Sequence, residues 1–109
     1  MIVTKAIEKQ LRANSANTDK DNIKPVMKLF GGSACTWLIS EMDQDGDTLF
    51  GLCDLGMGSP ELGYVSLKEL LALRFRPFGL PIERDRYFAA NKTLVEYANE
   101  ARSADRIVA

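Results

Sequence analysis

The sequence predicts an α+β domain: a small twisted antiparallel sheet of about four strands, with two or three helices packed on one face. Three observations carry this reading. The stretches ACTWLISEM and TLFGLCDL have the β-branched and aromatic content of strands and flank an Asp-Gly turn. Two Ser/Thr-x-x-Glu capping boxes, Ser66 to Glu69 and Thr93 to Glu96, open helical stripes. The element order, helix, strands, helix, edge strand, helix, lacks the regular alternation that builds a parallel sheet.

Taken in order, VTKAIEKQL places Val3, Ala6, Ile7 and Leu11 at helical spacing, with Thr4 able to act as N-cap. The polar, aperiodic segment 13–24 reads as a mobile surface loop. PVMKLF is a first strand, closed by Gly31-Gly32. The next two strands form a hairpin; with Met42 facing Thr48, Trp37 faces Cys53 and Ile39 faces Gly51. One face then carries Cys35, Trp37, Ile39, Leu49, Cys53 and Leu55, an apolar set suited to a core. GMGSP is a turn and ELGYV a further strand. Beyond it, Leu67, Leu70 and Leu71 point a capped helix at the sheet, with Val65 and Leu70 as a hydrophobic staple. FRPFGLP breaks the pattern, and IERDRYF reads as an exposed or edge segment. Leu94, Tyr97, Ala98 and Ala101 form the buried stripe of the last helix, and 103–109 is expected to fray.

At 109 residues the chain is most simply one domain spanning 1–109. Fourteen basic residues against fifteen acidic give a net charge of −1, so no global field draws it to nucleic acid or anionic lipid. The start MIVTKAIEKQ resembles no signal peptide, no apolar run approaches the roughly 20 residues of a membrane span, and the two cysteines form no C-x-x-C pair. A cytoplasmic setting, without a membrane partner, is expected.

The absence of histidine excludes Ser-His and Cys-His nucleophile pairs and histidine metal sites, and two cysteines cannot close a zinc site within one chain. Asp43, Asp45 and Asp47 imitate the start of a calcium loop, but its sixth position is Thr48 where a glycine is needed, and strands replace the flanking helices. These aspartates are therefore read as a hairpin turn, and no metal or cofactor is expected. From Glu41 to Glu61 six carboxylates, Glu41, Asp43, Asp45, Asp47, Asp54 and Glu61, run without a basic residue, a surface suited to a basic partner. Arg74, Arg76, Arg84 and Arg86, interleaved with Phe75, Phe78, Tyr87 and Phe88, suit phosphate and base contacts, or alternatively salt bridges to Glu83 and Asp85.

The ordered combination TWLISEMDQDGDTLFGLCD, ELGYVSLKEL and GLPIERDRYF resembles the small bacterial proteins grouped as domain of unknown function 2958. The resemblance runs from about Lys28 to about Tyr97 and includes the initial helix more loosely. It implies a setting on plasmids, integrative elements and phage-like DNA, near anti-restriction genes, and supplies no activity. One departure is GMGSP before Glu61, which is longer than usual there. The expected function is thus a non-catalytic accessory module that binds another macromolecule, a protein first, possessing no catalytic residues. Nucleic-acid binding through Arg74–Arg86 is the alternative, and a carboxylate- or magnesium-dependent enzyme the third. The candidate binding residues are Glu61, Tyr64, Glu83, Arg84, Asp85 and Trp37, with the charged members read structurally as a network joining the Glu61 strand to the Glu83 strand. Exposed Phe75 and Phe78 near an edge make a homo-oligomer a further expectation.

Overall fold

A computed structural model describes residues 2–109. The expected α+β class holds, with five strands where about four were expected. Helix α1 (Lys5–Ala16) precedes the meander β1 (Met27–Gly31), β2 (Cys35–Met42), β3 (Thr48–Asp54) and β4 (Glu61–Ser66). Helix α2 (Leu67–Ala72) and a long crossover lead to β5 (Glu83–Arg84), and α3 (Leu94–Ala104) follows. The antiparallel order is β4-β3-β2-β1-β5, so the crossover carries the chain from one edge of the sheet to the other.

The hairpin register matches expectation from Trp37↔Cys53 to Ile39↔Gly51 and then departs from it. Glu41 pairs with Phe50 and Met42 with Leu49, not Thr48, because Ser40 forms a bulge. The extra residue reverses the alternation. Met42 turns inward beside Ile39 and Leu49, whereas unbroken pairing would have turned Glu41 into that core. The bulge is supported from both sides: the Ser40 hydroxyl donates to the Phe50 carbonyl (3.3 Å), and Asn14 Nδ2, near the end of α1, donates to the Ser40 carbonyl (2.9 Å).

Helices cover both faces of the sheet, which corrects the expectation of a single covered face. On the first, Leu11 of α1 meets Met27, Leu29, Trp37, Ile39, Met42 and Leu49, with Leu70 and Ile82 from the crossover. On the second, Leu94, Tyr97, Ala98 and Ala101 of α3 cover Leu38 and Leu52. Strands buried on both sides need apolar residues at consecutive positions, which Trp37-Leu38-Ile39 supplies. Leu55, assigned by alternation to the first face, lies beyond the end of β3 and is exposed. Leu71 likewise faces solvent, leaving Leu70 and Leu67 to anchor α2.

Two glycines are dictated by close approach. A Cβ on Gly51 would lie 2.1 Å from the Leu38 carbonyl oxygen, and one on Gly31 would lie 2.2 Å from the Phe75 ring that packs over it.

The two segments expected to be loose are tied down. Residues 13–16 belong to α1, Lys20–Asn22 form a 3-10 turn, and Ile23 is buried, its carbonyl accepting from Leu94 N at 2.8 Å. At the other end α3 continues to Ala104, and buried Asp54 accepts from Gly56 N (2.8 Å) and Ile107 N (3.0 Å). That carboxylate docks the tail that was expected to fray.

Candidate functional site

Two caps decide where the sheet's free edge ends. Thr93 and Glu96 form the full reciprocal box that opens α3. Ser66 makes only half of its box: its hydroxyl accepts from Glu69 N (3.2 Å) and donates to Asp47 (2.7 Å), while the Glu69 carboxylate does not accept the Ser66 amide. Asp47 also accepts from Lys68 N (2.8 Å), and its carbonyl accepts from Leu67 N (2.8 Å). The hairpin turn thus holds the start of α2 and stops β4 at Ser66.

Beside this stop lies the most open apolar surface of the sheet. By register Phe50 faces Tyr64 and Leu52 faces Leu62, all on the α3 side. The Phe50 and Tyr64 rings pack at 5.0 Å with a 59° tilt. Helix α3 buries Leu52 and covers Phe50 and Leu62 only in part, and Tyr64 remains 73% exposed. A groove of about 260 Å³ runs between the strip, the 20–23 segment and the first turn of α3 at Leu94 and Val95. Its polar end is an ion pair. Glu41, turned onto this face by the bulge, takes Lys20 Nζ at 2.8 Å, and that ammonium also donates to the Asn14 and Ser15 carbonyls.

The groove adjoins the edge of β4. In an antiparallel ladder hydrogen-bonded and non-hydrogen-bonded pairs alternate. Since Leu67 N donates to Asp47 O, the bonded pairs are Leu49–Val65, Gly51–Gly63 and Cys53–Glu61. Leu62 and Tyr64 therefore turn both their N–H and C=O groups away from the sheet. No charged residue stands between Glu61 and Lys68.

The sequence-predicted site residues fall into separate groups. Tyr64 lines the groove, and exposed Glu61 begins the same strand. Glu83, Arg84 and Asp85 occupy the opposite edge, four inter-strand steps or roughly 19 Å away. No network joins Glu61 to Glu83, because the crossover through α2 delivers β5 beside β1. Asp85 pairs instead with Lys28 (3.8 Å) and accepts from Tyr87 N. Trp37 is a core residue, 2% exposed. Phe50, Leu62 and Lys20 were missed, and Glu41 was placed in the acidic band and not beside Tyr64. Phe50 directly follows core-facing Leu49, and that adjacency was the available signal that it faces the other way.

The acidic band is largely engaged within the fold. Asp45 accepts from the Thr48 hydroxyl (2.6 Å) and from the amides of Thr48 and Asp47, which together hold its carboxyl down to about 2. The Ser66 hydroxyl and the Lys68 amide lower Asp47. Glu41 is paired and Asp54 buried, leaving Asp43 and Glu61 as the carboxylates of the band without a hydrogen bond or ion pair among the described residues. No group of three or more His, Cys, Asp or Glu among the described residues is placed to hold a metal ion. Burial raises the Cys35 and Cys53 thiols, Cys35 with help from Asp54. Glu100 raises Lys92.

The arginine segment does not bridge to its neighbours as the structural reading expected. Arg74 donates to the Leu71 and Leu73 carbonyls, and Arg76, Arg84 and Arg86 make no ion pair among the described residues.

With both edges described, the chain can be set against known proteins. The model of a protein family of unknown function, DUF2958, matches residues 2–108. The chain belongs to the DUF2958 family. No curated protein and no solved structure matches it. The match takes in α1, as the looser resemblance there implied, and extends past Tyr97 through the docked tail of this DUF2958 chain to residue 108. Among its described residues no helix is long and apolar enough to cross a membrane.

Proposed function

We propose that this DUF2958 protein is a non-catalytic interaction module that takes an extended segment of a partner protein as an added strand along β4. The observation that carries the reading is the pairing of a bare, uncharged edge with an apolar groove on one side of it. Backbone groups of Leu62 and Tyr64 would bond the incoming strand, and the groove beside Phe50, Leu62 and Tyr64 would accept its alternate side chains. The setting on mobile DNA makes a host factor a natural partner, and a cytoplasmic location follows from the same reading.

The test uses a property of edge strands. Proline at Tyr64 removes an outward N–H while leaving the ladder to β3 intact, whereas Tyr64→Ala removes only the ring. Tagged wild-type protein, Y64P and Y64A are used to capture partners from nuclease-treated and untreated bacterial lysate. The expected result is a protein partner that survives nuclease, is weakened by Y64A and is lost with Y64P. A partner retained by folded Y64P, or one that vanishes with nuclease, overturns the reading.

A further inference from the structure

We infer that the concavity beneath Arg84 and Arg86, at the edge opposite the groove, is an oxyanion site that takes a phosphate group. Three observations meet there. Arg84 Nε is buried and has no hydrogen-bond partner among the described residues. Folded chains rarely leave a charged buried donor unmet, and an ion or ligand is a common reason when they do. Second, the rest of the Arg84 guanidinium makes no hydrogen bond or ion pair among the described residues, and the Asp85 carboxylate is taken by Lys28 and by Tyr87 N. Third, Arg86, in the Asp85–Phe88 turn, lines the same cleft of about 240 Å³ and is also without an ion pair among the described residues. A guanidinium fork carries paired donors that match two oxygens of a phosphate, and two such side chains line this one cleft.

The cleft's surroundings favour an ion held against an apolar wall. Ile2 and buried Ile82 form that wall, lowering the local dielectric and strengthening charge-assisted bonds. Glu83 is the one carboxylate on the lining. It pairs with Phe30 and so alternates to the other side of the strand from Arg84, which pairs with Leu29.

A phosphate could come as a free ion or small phosphoester, or from a nucleic-acid backbone. Phe75 packs over Gly31, two residues along β1 from Leu29, the partner of Arg84. The bridge Phe75↔Leu80 therefore brings a hairpin to this end of the face, carrying Phe78 82% exposed. A base attached to a bound phosphodiester would have that ring to stack on.

The measurement is an NMR titration of the ¹⁵N-labelled protein, following the Nε–H signal of Arg84 as inorganic phosphate is added at constant ionic strength. A saturable shift is expected, absent with chloride alone, with binding weakened about tenfold or more in R86Q, an exposed turn position that leaves the fold intact. R84K, which keeps the charge but loses the fork, is followed through the Nε–H signal of Arg86 and is expected to bind as weakly. A second titration with an unphosphorylated single-stranded oligonucleotide identifies the source. A shift sensitive to F78A assigns the backbone phosphate, while a response to inorganic phosphate alone assigns a free phosphate group. No saturable shift with either, or an equal response in R86Q, overturns the proposal and leaves Arg84 Nε facing water only.

Discussion

The two edges of the sheet manage the same physical problem in opposite ways. An edge strand offers unpaired backbone groups to any passing chain, and folded proteins usually blunt it. β5 is blunted twice: it is two residues long, and four consecutive charged residues, Glu83 to Arg86, cover it. β4 is six residues long, uncharged from Leu62 to Leu67, and flanked on one side by the ring of Tyr64. This contrast between a protected edge and a bare one is what the proposed strand addition along β4 rests on. The comparison can be tested by altering what holds the edges in place and then the edges themselves.

The largest effect is expected at the strand common to both. Trp37 lies in β2, between the two edges, and is among the largest fully buried side chains. W37A should cost about 3–5 kcal/mol, measured as a shift in the urea midpoint, and should abolish partner capture by unfolding. Retention of stability in W37A would show that Trp37 is not the core residue its burial makes it, and would restore it as a contact residue.

The second expectation concerns α3, which separates the groove from the polar half of its face. The helix is pinned by Leu94 N on the Ile23 carbonyl and by the tail amide of Ile107 on Asp54. D54A leaves two amides unmet and should cost about 1–3 kcal/mol. Hydrogen exchange should quicken at Gly56 and Ile107 while β5 stays protected. Uniform acceleration at both edges would mean that the tail staples the whole domain and not the α3 side alone.

The third exchanges the character of the edges. Y64K gives β4 the kind of charge that protects β5, and as an exposed substitution it should change stability by only about 0.5 kcal/mol or less. Capture of a strand-adding partner should nevertheless be lost. An unchanged partner would place the interface elsewhere.

How much of this was legible can be argued from particular residues. The caps at Thr4 and Thr93, the Asp-Gly turn and the register near Trp37 are local signals and were read correctly. The second covered face was also written, in the unbroken Trp37-Leu38-Ile39 run and in Leu49-Phe50, but alternation was imposed on residues whose burial is two-sided. The Ser40 bulge was hidden for a different reason. Serine is compatible with either register, and what fixes the bulge is Asn14, 26 positions away. The separation of Glu61 from Glu83 was hidden likewise, because the side on which a crossover returns is a property of the whole packing. Tyr64 was named as a candidate, whereas its companions Phe50, Leu62 and Lys20 become visible only when pairing and chain return place them together.

The smallest expected effect concerns the turn that ends β4. Asp45 sits in solvent, and its carboxyl is held at about 2, below the ordinary 3.8, by the Thr48 hydroxyl and two amides. A depressed carboxylate favours the folded chain fully above its unfolded pKa, and the contribution fades as pH falls from there through about 2. D45N keeps an acceptor for the amides but removes the charge, so the acid limb of the stability curve between about pH 4 and pH 2 should become shallower, with little change at neutral pH. Asp47 and Glu96 are lowered too, so the comparison is between the slopes of D45N and wild type, not between a slope and none. Identical slopes would mean that the Asp45 bonds persist in the unfolded chain as a local turn. In that case Asp47, whose bonds to Ser66 and Lys68 span about 20 residues, would be the carboxylate that couples acid to the end of β4, and D47N would flatten the limb where D45N had not.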